Sequence, residues 1–230
     1  VDGVVFRKNV SHKKMVDKTT SPVKFNPKIL ILGGGIEFQR NDTKLSNMDT
    51  LIDQEEKYIS ILVEKIMSLK PDLILVGKAV ARQAQEQLCE HNVAVVQHVK
   101  PELLQRIGRL TGAVVLPSSD HMIQQYGQEC LGKCQRFWLK AVSDDPERLR
   151  GRDNAVIKNA VARGSTYIYL DGCPAELGCT IVIRGAERKE LELVKAIVRF
   201  LVSIAYHLRL EVAYYCDRKA CLPGFDSPTD

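Results

Sequence analysis

A chain of 230 residues, 45% of them hydrophobic, can bury one large core, or a core plus an appendage. Its formal charge of +5 comes from interleaved acids and bases and only 6% of residues are aromatic, so the basic stripe with stacking aromatics that nucleic acid calls for is missing. No apolar run approaches the roughly 18 residues needed to span a bilayer and no charged-then-apolar leader opens the chain, so the reading is a soluble protein without its own secretion signal.

Val1 at one end and the polar Asp226-Ser-Pro-Thr-Asp230 at the other read as a piece excised from something longer. Seven scattered cysteines, an odd number, fit reduced thiols of a cytosolic setting better than a disulfide framework.

Val4-Val5-Phe6 is followed by a basic stretch around Lys8, His12, Lys13 and Lys14, a weak electrostatic patch that reads first as a solvated edge and second as a surface sensing anionic lipid or an acidic partner. Lys28–Leu32 is a short strand, and Gly33-Gly-Gly35 after it is a bend, because neither a dinucleotide nor a Walker-type phosphate loop is completed and Ile36–Arg40 alternates like more strand. The spacing predicts a helix from about Asp49 to Leu69 with Tyr58, Ile59, Leu62, Ile66 and Leu69 on its apolar face.

A regular alternation then runs strand 72–76, helix 79–91, strand 93–97, helix 101–110, strand 113–116 and a short helix from about Asp120. Strands alternating with helices through short loops predict right-handed βαβ units and a parallel sheet. Pro101 at a helix start and Gly112 past its end support the boundaries. Cys134–Val142 is a strand carrying the single Trp138, residues 144–164 a surface loop holding a short helix at 154–163, and Ser165–Leu170 another strand.

Cys179–Ile183, apolar and β-branched between glycines, reads as a buried strand. Gly185 serves as N-cap of a long helix with Glu187 and Glu190 in its first turn. Two apolar stripes follow, Leu191, Val194, Val198, Leu201, Ala205 and Leu208, then Leu193, Ile197, Phe200 and Ile204. Only Glu192, Lys195, Arg199 and Ser203 are left for water, so the helix is wedged between other elements or against a partner. Residues 211–215 alternate weakly as a strand, and 216–230 form a tail.

Several groupings with chemical potential resolve into plainer roles. Cys130/Cys134 and Cys216/Cys221 could offer four thiolates to zinc, but neither pair has the commoner C-x-x-C spacing, and the reading is no metal. Ser118-Ser119-Asp120-His121 holds hydrolase residue types without a nucleophile elbow and reads as a capped helix start. His91, His98 and His207 are isolated. No catalytic residue is assigned.

Gly172-Cys-Pro, Leu177-Gly-Cys-Thr-Ile-Val-Ile-Arg-Gly185 and Glu190-Leu-Glu-Leu-Val-Lys195 resemble the passage from apical to intermediate domain in group II chaperonins. Asp53-Gln-Glu-Glu-Lys57 and Val63-Glu-Lys-Ile66 resemble the helix that descends from the chaperonin lid, although the polar segment before it is shorter than a full lid, which counts against chamber closure. Ile204-Ala-Tyr-His-Leu-Arg-Leu-Glu211 and His12-Lys-Lys-Met15 look more like the chaperonin-like domain inside PIKfyve-type phosphatidylinositol 3-phosphate 5-kinases. The resemblance covers nearly the whole chain except 144–164.

It implies an α/β fold, a group II chaperonin apical-domain-like body of sheet and helices over residues 1–185, followed by an intermediate-domain-type helix and strand over 186–215. It further implies a non-catalytic domain of a kinase whose ATP and magnesium are held elsewhere, with no cofactor in this piece. That kinase would work on the cytoplasmic face of endosomal or vacuolar membranes, docked to a HEAT-repeat scaffold and a Sac-type phosphatase. By the same resemblance Arg82, Gln85, Glu86, Arg106 and Arg109 border the groove that meets a partner. The alternative is a group II chaperonin fragment that grips unfolded polypeptide. A Rossmann-like nucleotide enzyme would instead gain thermal stability from ATP or NAD.

Overall fold

A computed structural model describes residues 1–12, 15, 23–37, 48–117, 127–142, 165–185 and 187–218. The expected short helix near Asp120, the loop and helix within 144–164, the Ser118–His121 grouping, Cys221 and the end of the tail lie outside these. Two compact units emerge, Val1–Thr180 and Ile181–Asp230.

The first unit contains two sheets. Strands β1 (Gly3–Arg7) and β2 (Lys24–Phe25) are followed by β3 (Lys28–Leu32), helix α1 (Met48–Ser68), β4 (Leu73–Val76) and α2 (Arg82–Glu90). Then come β5 (Ala94–Val96), α3 (Pro101–Thr111), β6 (Val115–Leu116), β7 (Gly132–Lys133), β8 (Arg136–Val142) and β9 (Ser165–Asp171). One sheet runs β5-β4-β3-β6, with all neighbours parallel, and β7 pairs antiparallel with the start of β3.

The predicted βαβ alternation thus forms the predicted parallel sheet. Its inner strands are apolar along their whole length because elements cover both faces: Leu73, Ile74, Leu75 and Val76 are all buried. At about 1.5–3 kcal/mol per fully buried aliphatic side chain, this strip anchors the unit.

Helix α1 turns Ile59, Leu62, Val63 and Ile66 inward, as its periodicity predicts, and packs on α2. Helix α3 starts with Pro101 and stops at Gly112, which takes the left-handed φ of 74° that suits glycine. It contacts β1 as well as β3, β6 and β7, and so joins the two sheets. The second sheet runs β1-β9-β8-β2, entirely antiparallel, with Val4, Phe6, Phe137, Ile168 and Leu170 buried. On the other face of this sheet, half-buried Trp138 and buried Tyr169 sit cross-strand and stack at 4.0 Å between ring centroids.

Gly33–Gly35 form the expected bend. Close backbone crossings explain the glycines here: a Cβ on Gly77 would fall 2.5 Å from the Gly33 carbonyl oxygen, and one on Gly35 would fall 2.9 Å from that of Ala79. Only Ile36, bridged to Val80, continues the strand pattern among the described residues that follow the bend.

The second unit is dominated by α4 (Arg188–Asp217). Three expectations are corrected here. Residues 179–183 form no strand: the segment joins the N-terminal arm only through Thr180, which exchanges backbone hydrogen bonds with Val1, and Cys179 and Ile181 are exposed. The N-cap is Glu187 rather than Gly185, with a reciprocal capping box in which the Glu190 carboxylate accepts from the Glu187 backbone N–H. Residues 211–215 are helical, because no glycine or proline stands between Gly185 and Pro223 and Val212 and Tyr215 prolong the first apolar stripe at helical spacing.

Candidate docking surface

The five residues proposed for the groove fall into two groups with different neighbours. On α2, Arg82 is nearly fully exposed and its Nε lies 3.0 Å from Glu86 Oε1 one turn on. An exposed pair of this kind contributes at most about 0.5 kcal/mol, so both side chains can be redirected towards a partner at little cost. Gln85 is half-buried and its amide donates to the Val80 carbonyl oxygen at 2.7 Å, which closes the turn that enters the helix.

On α3, Arg106 Nη2 donates to the Cys179 carbonyl oxygen at 3.1 Å and to Thr180 Oγ1 at 3.3 Å, while Arg109 Nη2 reaches the Leu177 carbonyl oxygen at 3.5 Å. Thr180 Oγ1 in turn donates to the Gly3 carbonyl oxygen at 2.7 Å. The α3 arginines therefore fasten the 177–180 segment to the body while keeping exposed surfaces. Sequence reasoning had no means to find this, since periodicity shows that an arginine is outward but not which distant carbonyl meets it.

The cysteines separate by environment. Cys130 Sγ donates to the Gly127 carbonyl oxygen and Cys134 Sγ to that of Arg136. Extending the β8–β9 register past Arg136↔Asp171 puts Cys134 opposite Cys173. Burial, then the neighbouring Cys173 thiol, push Cys134 up to about 12, and burial likewise raises Cys130 and Cys173.

Thiolate is the reactive form, so these side chains are inert in the folded state. With a disulfide-exchange reagent at neutral pH, exposed Cys179 and Cys216 are expected to label at once, and Cys89, Cys130, Cys134 and Cys173 only on unfolding. Site-resolved mass spectrometry reads the order, and early labelling of Cys134 would contradict the packing described. Among the described residues no group of three or more His, Cys, Asp or Glu is placed to hold a metal.

The most conspicuous exposed surface is α4. Leu193, Ile197, Phe200, Leu201, Val202, Ile204, Tyr206, Leu208 and Tyr214 are all exposed large hydrophobics. Contiguous apolar surface on this scale marks an interaction face.

Comparison with known proteins places this architecture. Residues 1–205 match the TCP-1/cpn60 chaperonin family. Among solved structures, an open-state monomer of a group II chaperonin from Methanococcoides burtonii superposes with a TM-score of 0.57 at 20% identity, over 84% of this chain and 36% of that one. A 1-phosphatidylinositol-3-phosphate 5-kinase of Arabidopsis thaliana is 40% identical over 96% of this chain and 11% of its own. The human 1-phosphatidylinositol 3-phosphate 5-kinase is 35% identical over 97% of this chain and 10% of its own. The Saccharomyces cerevisiae enzyme is 30% identical over 94% and 8%. The chain thus spans about a tenth of the length of these curated relatives. With an apical-type α/β body, a long trailing helix and these matches, the chain belongs to the TCP-1/cpn60 chaperonin family, in the form carried within phosphatidylinositol 3-phosphate 5-kinases.

Proposed function

We propose that this chain is a non-catalytic docking domain of a phosphatidylinositol 3-phosphate 5-kinase, one that seats the enzyme on a HEAT-repeat scaffold and its Sac-type phosphatase for phosphatidylinositol 3,5-bisphosphate synthesis. The observation that carries the reading is the alignment of nearly the whole chain with about a tenth of such kinases, combined with a chaperonin-type body. A fold whose chaperonin relative uses this region as one part of a larger machine suits gripping protein better than moving phosphate. Phosphoryl transfer needs a phosphate-contacting lysine and metal-binding acids arranged around a nucleotide. In this reading that chemistry, with its ATP and magnesium, belongs to the rest of the kinase, on the cytoplasmic face of endosomal or vacuolar membranes. No helix among the described residues is long and apolar enough to cross a membrane.

The contact is assigned to α2 and α3, through Arg82, Gln85, Glu86, Arg106 and Arg109. Charge reversal at Arg106 and Arg109 would also release the 177–180 segment, so the cleaner test uses α2. Arg82→Glu with Glu86→Arg keeps the intrahelical pair and the fold while inverting what a partner meets. In a pull-down with the purified scaffold, this double variant is expected to lose most of the binding while its melting temperature stays within about 2 °C of the parent chain. Retention of full binding would remove α2 as the contact. If the chain instead captures a denatured model substrate and ignores the scaffold, the polypeptide-gripping reading replaces this one.

A further inference from the structure

We infer that the outer edge of β8 is a strand-addition site, which takes an extended acidic segment of a partner protein as one more strand of the antiparallel sheet. This surface is separate from α2 and α3, and the inference stands whether or not those helices meet the scaffold.

The sheet leaves part of β8 with a neighbour on one side only. There β9 pairs with all seven of its residues, from Arg136 to Val142. On the other side β2 pairs with Arg136 and Phe137 alone. The Asn26 N–H donates to the Gln135 carbonyl oxygen at 2.8 Å, so by the alternation of an antiparallel ladder Lys24 and Phe137 form the next bonded pair. Leu139 and Ala141 therefore aim their N–H and C=O groups to this same side, and no described residue bonds to them there. Prolonging β2 does not close the gap. In the register of Lys24 with Phe137, the residue due opposite Leu139 is Pro22, which has no N–H to give.

Side chains choose the occupant. Trp138, Lys140 and Val142 alternate onto one face of the sheet, and the register sets Arg7, Tyr167 and Lys140 in a single row across β1, β9 and β8. Neither cation of that row forms an ion pair among the described residues. A second copy of this chain fits poorly, because antiparallel pairing of two such edges about their centre sets Lys140 directly opposite Lys140, where like charges repel. A strand from another protein with a carboxylate opposite Lys140 extends the row with the complementary sign. A β-branched residue two positions along it then lies opposite half-buried Val142. The N–H and C=O groups of Leu139 and Ala141 bond the backbone of such a segment whatever its remaining side chains, which is how strand-adding domains hold their peptides.

The probe is a capped peptide, Thr-Val-Glu-Val-Thr-Val, labelled with fluorescein and titrated against the 230-residue chain by anisotropy, with amide exchange followed by NMR. At saturation the amides of Leu139 and Ala141 are expected to exchange about tenfold more slowly, while those of Trp138 and Lys140, already directed at β9, stay unchanged. N-methylation of the peptide amides that face β8 should abolish binding, and methylation of the intervening ones should leave it intact. Lysine in place of the peptide's glutamate should weaken binding about tenfold, and a Lys140→Glu chain should reverse that preference. No saturable binding up to about 1 mM would overturn the inference, as would protection confined to residues outside β8. Equal binding of the glutamate and lysine peptides would overturn the acidic partner, and indifference to which amides are methylated would overturn strand addition.

Discussion

Phe137→Ala is expected to remove about 3–5 kcal/mol of stability, the cost of deleting a large aromatic from a site that cannot collapse. Phe137 is fully buried on the inner face of β8, between Lys24 of β2 and Leu170 of β9 in the sheet register. Its side chain belongs to the core cluster that also holds Val4, Phe6, Ile168 and Leu170. Because β1 and β9 are far apart in sequence but adjacent in the sheet, the vacated volume is bordered by elements that hydrogen bonds hold in register. Urea unfolding should show a lower midpoint with an unchanged slope. A loss under about 1 kcal/mol would mean that the site repacks and that the two sheets are less firmly joined than described.

Gly77→Ala is expected to destabilise by about 1–3 kcal/mol, an unusual cost for adding one methyl group. The new Cβ would sit 2.5 Å from the Gly33 carbonyl oxygen, and this is backbone that cannot swing aside. The Gly77 N–H already donates to Leu32 and the Lys78 N–H to Gly34, so relief would require moving the ends of β3 and β4 apart. Gly112→Ala offers a contrast in mechanism: nothing lies within 4 Å of its would-be Cβ, and only its left-handed backbone resists. A Gly77→Ala protein that melts with the parent chain would show that the triple-glycine bend is looser than its hydrogen bonds indicate.

Local signals were sufficient where the structure is locally determined. Pro101 and Gly112 bracket α3 in sequence and in space, and the apolar period of α1 points inward residue for residue at Ile59, Leu62 and Ile66. Four-residue apolar runs such as Leu73–Val76 give the parallel sheet because only strands covered on both faces can be so uniformly apolar. Local signals misled at 179–183, whose β-branched composition met no partner strand, and at 211–215, where a weak alternation competed with an unbroken helical frame.

The short strands β2 and β7 were missed because two residues carry no period; they exist through pairing with Arg136–Phe137 and Lys28–Ile29. The groove residues show the same division. The family resemblance put them forward, and of the five Arg82, Glu86, Arg106 and Arg109 are exposed while Gln85 is half-buried; the carbonyl oxygens that occupy Arg106 and Arg109 belong to a segment about 70 positions away.

The pairing of β1 with β9 also governs how the protein is made. Gly3–Arg7 is synthesised well before its hydrogen-bonded companion, which is not complete until Asp171 has been added. The parallel sheet needs only residues 28–116 and can close early, whereas the antiparallel sheet must wait and pays a large loop-closure entropy. A nascent chain stalled before Ser165 would carry an orphaned strand edge on β8 and a β1 without its partner strand, the kind of intermediate that quality-control chaperones capture and that self-pairs when they do not.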